Sequence, residues 1–191
     1  MLLKNDRILL RLPRKTDAAA CVAAIEESRK ELIRFTVGPP LIKSLRDEEA
    51  FIERCIQRRK KKTDYLFGIF DAKDKSYLGN IGLHCVSPFN RSSEIGYWIR
   101  TGRSGFGLAT ASAALVVRFG FEELKLHKIV LRAIVDNLAS IRVAEKIGFV
   151  REGIQRHELR LERGWVDLQC FSLIEFEYRK LKAKITRLSS T

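Results

Sequence analysis

The chain has 191 residues, of which 46% are hydrophobic and 31% charged, and its formal net charge is +13. This length suffices for one sizeable hydrophobic core, and we expect a cytoplasmic protein because we find neither a membrane-spanning apolar run nor a signal-peptide pattern. The four cysteines stand apart without a CxxC pair, which argues against a structural zinc site and a disulfide framework. The three histidines, His84, His127 and His157, show no metal-binding arrangement, so no metal is expected.

Two helices and three strands are predicted in the first half of the chain. Thr16 is a capping residue for a helix that ends near Ile33, and Ser44 with Asp47 forms an acidic variant of a capping box. This box opens a second helix, which reaches about residue 61. The strands are residues 7–12, which we expect at a sheet edge, 65–70 and 77–86, with a polar turn at 71–76.

A glycine turn between a strand and a helix is the most informative local pattern. The strand covers residues 95–99, the turn contains Gly102, Gly105 and Gly107, and the helix covers residues 109–121. Such a turn favours phosphate binding, because glycine lets the backbone approach an anion and the first helical N–H groups face it. Neither GxGxxG nor GxxxxGK[ST] is present, which excludes the usual dinucleotide and nucleoside-triphosphate loops.

The remaining elements follow in short succession. A buried strand is predicted over residues 128–135 and a helix over residues 138–147. Two further strands are predicted over residues 149–161 and 165–176, with a turn at Gly164 between them. No repeat or linker interrupts this pattern. The chain is therefore predicted to form a single domain over residues 1–178, followed by a basic C-terminal tail over residues 179–191.

Two motifs resemble those of the GNAT superfamily of N-acetyltransferases. The run SGFGLAT (104–110) resembles the family's pyrophosphate loop, [QR]-x-x-G-x-[GA], in which Gly107 and Ala109 fit and Ser104 departs. The run DNLASIRVAEKIGFVREG (136–153) matches N-x-x-S-x-x-x-x-E-K-x-G-F-x-x-E-G. Together with EIGYWI and RGWVDLQCFSLI, it resembles the RimJ/RimL branch, the ribosomal-protein N-terminal acetyltransferases. The resemblance covers residues 7–176.

The resemblance implies a fold and an activity. The fold is α/β (α+β), the GNAT acyl-CoA N-acyltransferase fold, with a mixed, mostly antiparallel sheet of about seven strands and about four helices. The activity is transfer of an acetyl group from acetyl-CoA to a primary amine, with the N-terminal α-amino group of a ribosomal protein as the leading acceptor. A small amine such as an amino acid or an antibiotic remains open, and so does a non-catalytic module that binds acetyl-CoA or RNA. The sequence does not decide between a monomer and a homodimer.

The resemblance also implies which residues bind acetyl-CoA. Backbone groups of Trp98 and Ile99 are expected to bond the pantetheine arm between two strands that splay apart, and Asn137 to help from the next helix. The pyrophosphate is expected on the backbone N–H groups of Ser104, Gly105, Phe106, Gly107, Leu108, Ala109 and Thr110.

The expected catalytic residues follow from the same resemblance. Many superfamily members carry a tyrosine that protonates the departing thiolate, and this chain has Ala144 there. Ser140, one turn earlier, is expected to be the thiolate partner, although a serine at a helix start also bonds backbone. Glu94 is the first candidate for the base and Glu158 the second, with His84 and His157 as further possibilities. A structural role across the final hairpin is expected for Asp167.

The basic residues have two interpretations. One is a solvated helix end with a disordered terminus, and the other is attraction to ribosomal RNA or an acidic protein surface. They concentrate in two groups: Arg54, Arg58, Arg59, Lys60, Lys61 and Lys62, and Arg179, Lys180, Lys182, Lys184 and Arg187.

Overall fold

Eight strands form one mixed sheet in the computed structural model, which describes residues 2–190. The spatial order is β1-β2-β3-β4-β5-β6-β8-β7, and every neighbouring pair is antiparallel except β5 and β6. The strands are β1 (Leu2–Lys4), β2 (Ile8–Arg11), β3 (Tyr65–Asp71), β4 (Tyr77–Ser87), β5 (Ser92–Ile99), β6 (Lys128–Ile134), β7 (Val150–Leu161) and β8 (Gly164–Ile174).

Five α-helices cover the two faces of this sheet in the described part of the chain. They are α1 (Ala18–Phe35), α2 (Leu45–Lys60), α3 (Leu108–Glu122), α4 (Leu138–Ile147) and α5 (Glu175–Ser190). On one face, α1 packs on Trp98, Tyr77 and Phe70 of the sheet and on Ile42, which precedes α2. On the other face, α3, α4 and α5 share the main hydrophobic core with the opposite sides of the strands. None of the helices within residues 2–190 is long and apolar enough to span a membrane.

The helix α3 lies at the centre of the main core. Its first ten side chains are small or branched, and Ala113, Ala114, Val116 and Val117 are fully buried. A helix that is apolar nearly all round must be covered on more than one side. Here the sheet covers one side of α3 and α5 covers another, so the N-terminus of α3 is fixed relative to the strands.

The parallel pair β5–β6 stays joined over only three positions. Ser92 pairs with Lys128 and Glu94 with Val130, and the described residues show no pairing between these two strands beyond that point. β5 remains paired with β4 up to Ile99, while β6 remains paired with β8 up to Ile134. Each strand is therefore held on its outer side, and a wedge opens between residues 95–99 and residues 131–134. This wedge is the splay that the resemblance implied.

The elements at the N-terminal end differ from those predicted. β1 forms the sheet edge outside β2, so the expectation that residues 7–12 form the edge was wrong. Thr16 does not cap α1: the N-cap residue is Asp17, whose carboxylate instead accepts bonds from Arg11 and from the backbone N–H of Arg14. The other cap was predicted correctly, since Ser44 Oγ accepts the N–H of Asp47 at 3.2 Å and α2 follows.

The basic C-terminal segment is helical, so the interpretation of a disordered terminus was wrong for residues 179–190. Tyr178, Leu181, Ile185 and Leu188 recur at helical spacing and form the side of α5 that packs into the main core. The Tyr178 ring stacks on the Phe121 ring of α3 at 4.6 Å between centroids. Together β1 and α5 explain why residues 2–190 form eight strands and five α-helices rather than about seven and four.

Candidate active site

The glycine turn before α3 presents backbone donors on the surface. Gly105 and Gly107 have φ angles of 85° and 79°, and Gly107 is the N-cap residue of α3. The first intrahelical bond runs from Ala111 N–H to Gly107 O at 3.0 Å, so helix geometry leaves the N–H groups of residues 108–110 without intrahelical acceptors. These groups lie at the positive end of the helix dipole. The turn therefore has the donors and the backbone freedom that a pyrophosphate needs.

Two contacts brace this turn. Ser104 N–H donates to Thr101 O at 3.1 Å, so that donor is already used within the turn. Arg7 Nη2 donates to the carbonyl oxygen of Phe106 at 2.7 Å and brings a guanidinium beside the turn. Nothing in the sequence pattern connects Arg7 with residues almost one hundred positions later. The backbone donors left available in this turn are therefore those of Gly105 to Thr110, with a cation close by.

Ser140 and Tyr97 meet across the wedge. Ser140 Oγ donates to the hydroxyl of Tyr97 at 3.1 Å. Burial raises the pKa of Tyr97 to about 12, and the bond with Ser140 acts in the opposite direction. A tyrosine hydroxyl therefore stands beside the serine, although it comes from β5 rather than from α4. The sequence pattern did not predict this contact, because an aromatic residue in a central strand ordinarily belongs to the core.

Asn137 fixes the start of α4. Its side-chain oxygen accepts the N–H of Ser140 at 3.1 Å, as an N-cap residue does. The side-chain NH₂ of this half-buried residue has no partner among the described residues, which leaves it available to a ligand in the wedge. The cap also sets the position of Ser140 opposite Tyr97.

Glu94 and Glu158 share one arginine. Arg132 Nη2 lies 2.7 Å from a carboxylate oxygen of Glu94, and Arg132 Nη1 lies 3.1 Å from one of Glu158. All three side chains are roughly one-third exposed or more. The structure thus brings both predicted base candidates together, but each already accepts a charge-assisted hydrogen bond. In each acid these bonds engage one carboxylate oxygen, so Arg132 fixes the positions of both side chains.

The neighbourhood of Glu158 is irregular. The pairing of β7 with β8 shifts between Gln155 and Leu159, and His157 has a φ of 50°. Asp167 accepts the His157 N–H at 2.9 Å across the hairpin, which confirms the structural role expected for Asp167. This bond holds the bulge that carries Glu158 toward Arg132.

An apolar cavity of about 200 Å³ lies under α1 and α2, against β3, β4 and β5. Its polar side chains include Glu48, Asn80 and His84, and His84 Nδ1 lies 3.2 Å from Asp64 Oδ1. Its apolar walls include Ile25, Ile42, Phe51, Leu66 and Trp98. Tyr97 and Gly96 also contact it, so the cavity reaches the β5 segment that borders the wedge.

Close contact between β4 and β5 fixes the position of Trp98. Gly79 has a φ of 144°, and a Cβ at this position would overlap the carbonyl oxygen of Trp98. Only glycine permits this approach. Trp98 and Ile99, the residues expected to bond the pantetheine arm, therefore occupy a fixed segment of β5 whose other edge borders the wedge.

A metal centre is not evident in the structure. Within residues 2–190 no group of three or more His, Cys, Asp or Glu side chains could hold a metal ion.

Comparisons with known proteins agree with this geometry. The family model of the acetyltransferase (GNAT) domain matches residues 7–150. The "Probable N-acetyltransferase YjcK" of Bacillus subtilis is 31% identical, with 91% of this chain and 97% of that protein covered. YdaF of the same organism, named as a candidate ribosomal N-acetyltransferase, is also 31% identical, over 91% of this chain and 94% of YdaF. The solved structure of the ribosomal-protein acetyltransferase RimL in complex with coenzyme A is 19% identical, has a TM-score of 0.86, and is matched over 93% of this chain and 99% of RimL.

Proposed function

Because this chain belongs to the GNAT acetyltransferase family and is therefore an acetyl-CoA-dependent transferase, we propose that its acceptor is the N-terminal α-amino group of a protein, foremost a ribosomal protein. The observation that carries this proposal is the wedge between β5 and β6. On one side it leads to the backbone donors of the α3 turn, and on the other it reaches the cavity under α1 and α2. An acetyl donor and an amine can thus approach one point from opposite faces of the sheet.

The proposed donor site uses mainly backbone groups. The N–H groups of Gly105 to Thr110 hold the pyrophosphate, with Arg7 adding charge beside them. The unpaired edge of β5 at Trp98 and Ile99 bonds the pantetheine arm in the wedge, and the amide of Asn137 assists from α4. Positive charge and fixed backbone dipoles both favour an anionic ligand at this place.

The proposed thiolate partner is Ser140, acting together with Tyr97. When the C–S bond of the thioester breaks, negative charge develops on sulfur and needs a hydrogen-bond donor. The Ser140–Tyr97 pair supplies two hydroxyl groups 3.1 Å apart at the wedge. One hydroxyl of the pair donates to the other, whose own proton is then free to bond sulfur, and this arrangement compensates for Ala144 at the family's tyrosine position.

We propose that Glu94 and Glu158 form the rim of the acceptor site and hold Arg132 there. Their shared arginine holds both carboxylates in place. A mixed-charge rim suits a peptide chain, which offers backbone donors and acceptors beyond its first residue.

The basic surface supports a ribosomal acceptor, with part of the charge already balanced. Arg58 pairs with Asp64, Arg179 with Glu175 and Lys182 with Glu122. Nevertheless the net charge of +13 remains, and α5 presents its basic residues away from the core. Such a charge attracts nucleic acid in a salt-dependent manner. Binding to ribosomes that falls steeply with added salt is therefore expected.

A small amine is the second candidate acceptor, because the cavity of about 200 Å³ holds little more than one side chain. An N-terminal residue that inserts its side chain fits the same volume. A peptide acceptor gains further contacts at the Arg132 rim, whereas a free amino acid or an amino sugar does not.

The test starts with calorimetric titration of acetyl-CoA and of coenzyme A into the purified protein. One-site binding of both is expected. The protein is then incubated with acetyl-CoA and either short peptides bearing free N-termini or free amino acids and aminoglycosides, and the products are identified by mass spectrometry. Preferential acetylation of peptide N-termini supports the proposal. Turnover of the small amines alone would move the second candidate ahead.

A further inference from the structure

Glu48 stands out in the cavity under α1 and α2. It is 2% exposed, and among residues 2–190 it is the one Asp, Glu, Lys or Arg whose side chain is fully buried. No salt bridge among the described residues includes it, whereas Glu94 and Glu158 are both paired. A buried carboxylate without a cationic partner is costly, so its presence at a cavity wall calls for a function.

The position of Glu48 in α2 is one where an apolar residue is expected. Glu48, Ile52 and Cys55 are the buried residues of this helix, at spacings of four and three. These spacings define the inward side of an amphipathic helix. A leucine at position 48 would satisfy packing better than glutamate, and a local conflict of this kind is typical of functional sites.

The groups around Glu48 come from three elements. The Cys21 thiol of α1 lies beside it and lowers its pKa, while Cys55 and Arg54 lie on its own helix. From β4, Tyr77 donates to Asn80 at 2.5 Å, and Asn80 and His84 line the same cavity. Burial raises the pKa of Glu48 to about 7, an effect that Cys21 and Arg54 only partly oppose. A carboxylate in these surroundings exchanges a proton readily near neutral pH.

We propose that Glu48 receives the acceptor's ammonium group in this cavity and takes its proton before acetyl transfer. The inference rests on the proposed function and names the base that the function requires. The ligand class is a primary ammonium on a short, largely apolar body. The uncharged walls at Ile25, Phe51 and Trp98 suit that body, and the one buried carboxylate suits the charge.

The three protons of the ammonium group end in three places. The ammonium gives one proton to a carboxylate oxygen of Glu48, and the freed nitrogen lone pair attacks the thioester carbonyl carbon. The C–N bond forms, and the C–S bond breaks with its electron pair on sulfur. The second amine proton ends on the thiolate, which accepts it at the Ser140–Tyr97 pair, and the third remains on the amide nitrogen. Glu48 then releases its proton to solvent.

His84 is the competing base in the same cavity. Its Nδ1 lies 3.2 Å from Asp64 Oδ1. This carboxylate orients the imidazole ring, as an acidic partner does for many histidines that act as general bases. His84 is, however, about one-third exposed at its side chain, while Glu48 is enclosed. We favour Glu48 because its carboxylate is enclosed by the cavity walls, where its attraction to an ammonium group is less screened by water.

The test compares Glu48→Gln with Glu49→Gln, a change to an exposed glutamate at the next position of the same helix. The acceptor is an N-terminal peptide that the wild type acetylates. For Glu48→Gln we expect kcat/KM to fall about 100-fold, the acid limb of its pH profile near pH 7 to vanish, and acetyl-CoA affinity to remain unchanged. Glu49→Gln should match the wild type.

The outcomes separate the two claims. If the wild type acetylates no amine at all, the proposed function fails and this inference fails with it. If the wild type is active and Glu48→Gln keeps both its rate and its acid limb, the inference alone is overturned. It is equally overturned if His84→Gln abolishes the acid limb while Glu48→Gln retains it. Should Glu48→Gln not fold, Glu48→Asp provides the test, since it should keep the acid limb at a reduced rate.

Discussion

The two faces of the sheet build their halves of the site in different ways. On the face of α3, α4 and α5, the donor half uses backbone N–H groups at a glycine turn and a cap on α4. On the face of α1 and α2, the acceptor half uses side chains from α2, β4 and β5 around a cavity. In the proposed site, backbone geometry thus holds the ligand that the whole family shares, and side chains contact the ligand that differs among its members.

The two halves also differ in their energetic cost. Backbone donors at a helix terminus are exposed in any helix, so the donor half adds little instability. The acceptor half instead buries Glu48 without a cationic partner. The acceptor half is therefore where function should oppose stability.

The largest predicted effect is a gain in stability when the buried carboxylate of Glu48 is removed. The native pKa of Glu48, about 7, lies above its ordinary value of 4.5, so the native state binds more protons than the unfolded state between these pH values. Its contribution to the free energy of unfolding is present below pH 4.5 and is lost as the pH rises through 7. Glu48→Gln should therefore be more stable than the wild type at pH 8, by up to about 3 kcal/mol.

Chemical denaturation of both proteins at pH 4.5 and pH 8 measures this effect. The free energy of unfolding of the variant should exceed that of the wild type only at the higher pH. If the wild type and the variant differed by the same free energy of unfolding at both pH values, burial would not destabilise the ionised carboxylate.

The second prediction concerns the donor half alone. Gly107→Val places a branched side chain at a φ of 79°, which strains the turn and blocks the approach of an anion to the first N–H groups of α3. We expect the Kd for acetyl-CoA to rise about 100-fold, that is, by about 2.7 kcal/mol. Calorimetry measures it, and Gly164→Ala, a change at another positive φ far from α3, serves as the control. That control should lose stability but keep its affinity.

The third prediction addresses the wedge, where the halves meet. Ser140→Ala should lower kcat about 10-fold and leave acetyl-CoA binding unchanged, because its hydroxyl acts on the departing thiolate. Tyr97→Phe should do the same. The double variant should be little worse than either single one, since the two hydroxyls are bonded to each other. Additive losses in steady-state kinetics would mean that the hydroxyls act independently.

The smallest predicted effect lies far from both halves. Tyr178→Phe removes the bond from the Tyr178 hydroxyl to Glu122 at 2.7 Å while it keeps the ring stacked on Phe121. The free energy of unfolding should fall by about 1 kcal/mol, and kcat should not change. A change in kcat would show that α5 positions the N-terminus of α3 more directly than its packing suggests.

The donor half was largely predictable from the sequence. Glycine turns and helix caps are local, so the pattern around Gly107 and Asn137 indicates their geometry within a few residues. The splay of β5 and β6 was implied by the family resemblance, and the structure has it. The same locality explains why α4 was predicted with its observed bounds, Leu138–Ile147.

The acceptor half was not predictable in the same way. Glu48 looks like one of several charged residues near a helix start, and only the packing of α2 on the sheet shows that it is buried. The arginine shared by Glu94 and Glu158 joins three strands, and the meeting of Tyr97 with Ser140 joins a strand to a helix. Such contacts depend on sheet order, which residue spacing does not carry. The helix α5 did carry a signal, the apolar spacing from Tyr178 to Leu188, and its basic residues obscured it.

The most direct measurement is mass spectrometry of the proteins of an unacetylated ribosome preparation after incubation with this protein and isotope-labelled acetyl-CoA. The account predicts one labelled acetyl group on the N-terminal α-amine of a small set of proteins, strongly reduced for Glu48→Gln. Label confined to lysine side chains, or no protein label while free amines are acetylated, would contradict it.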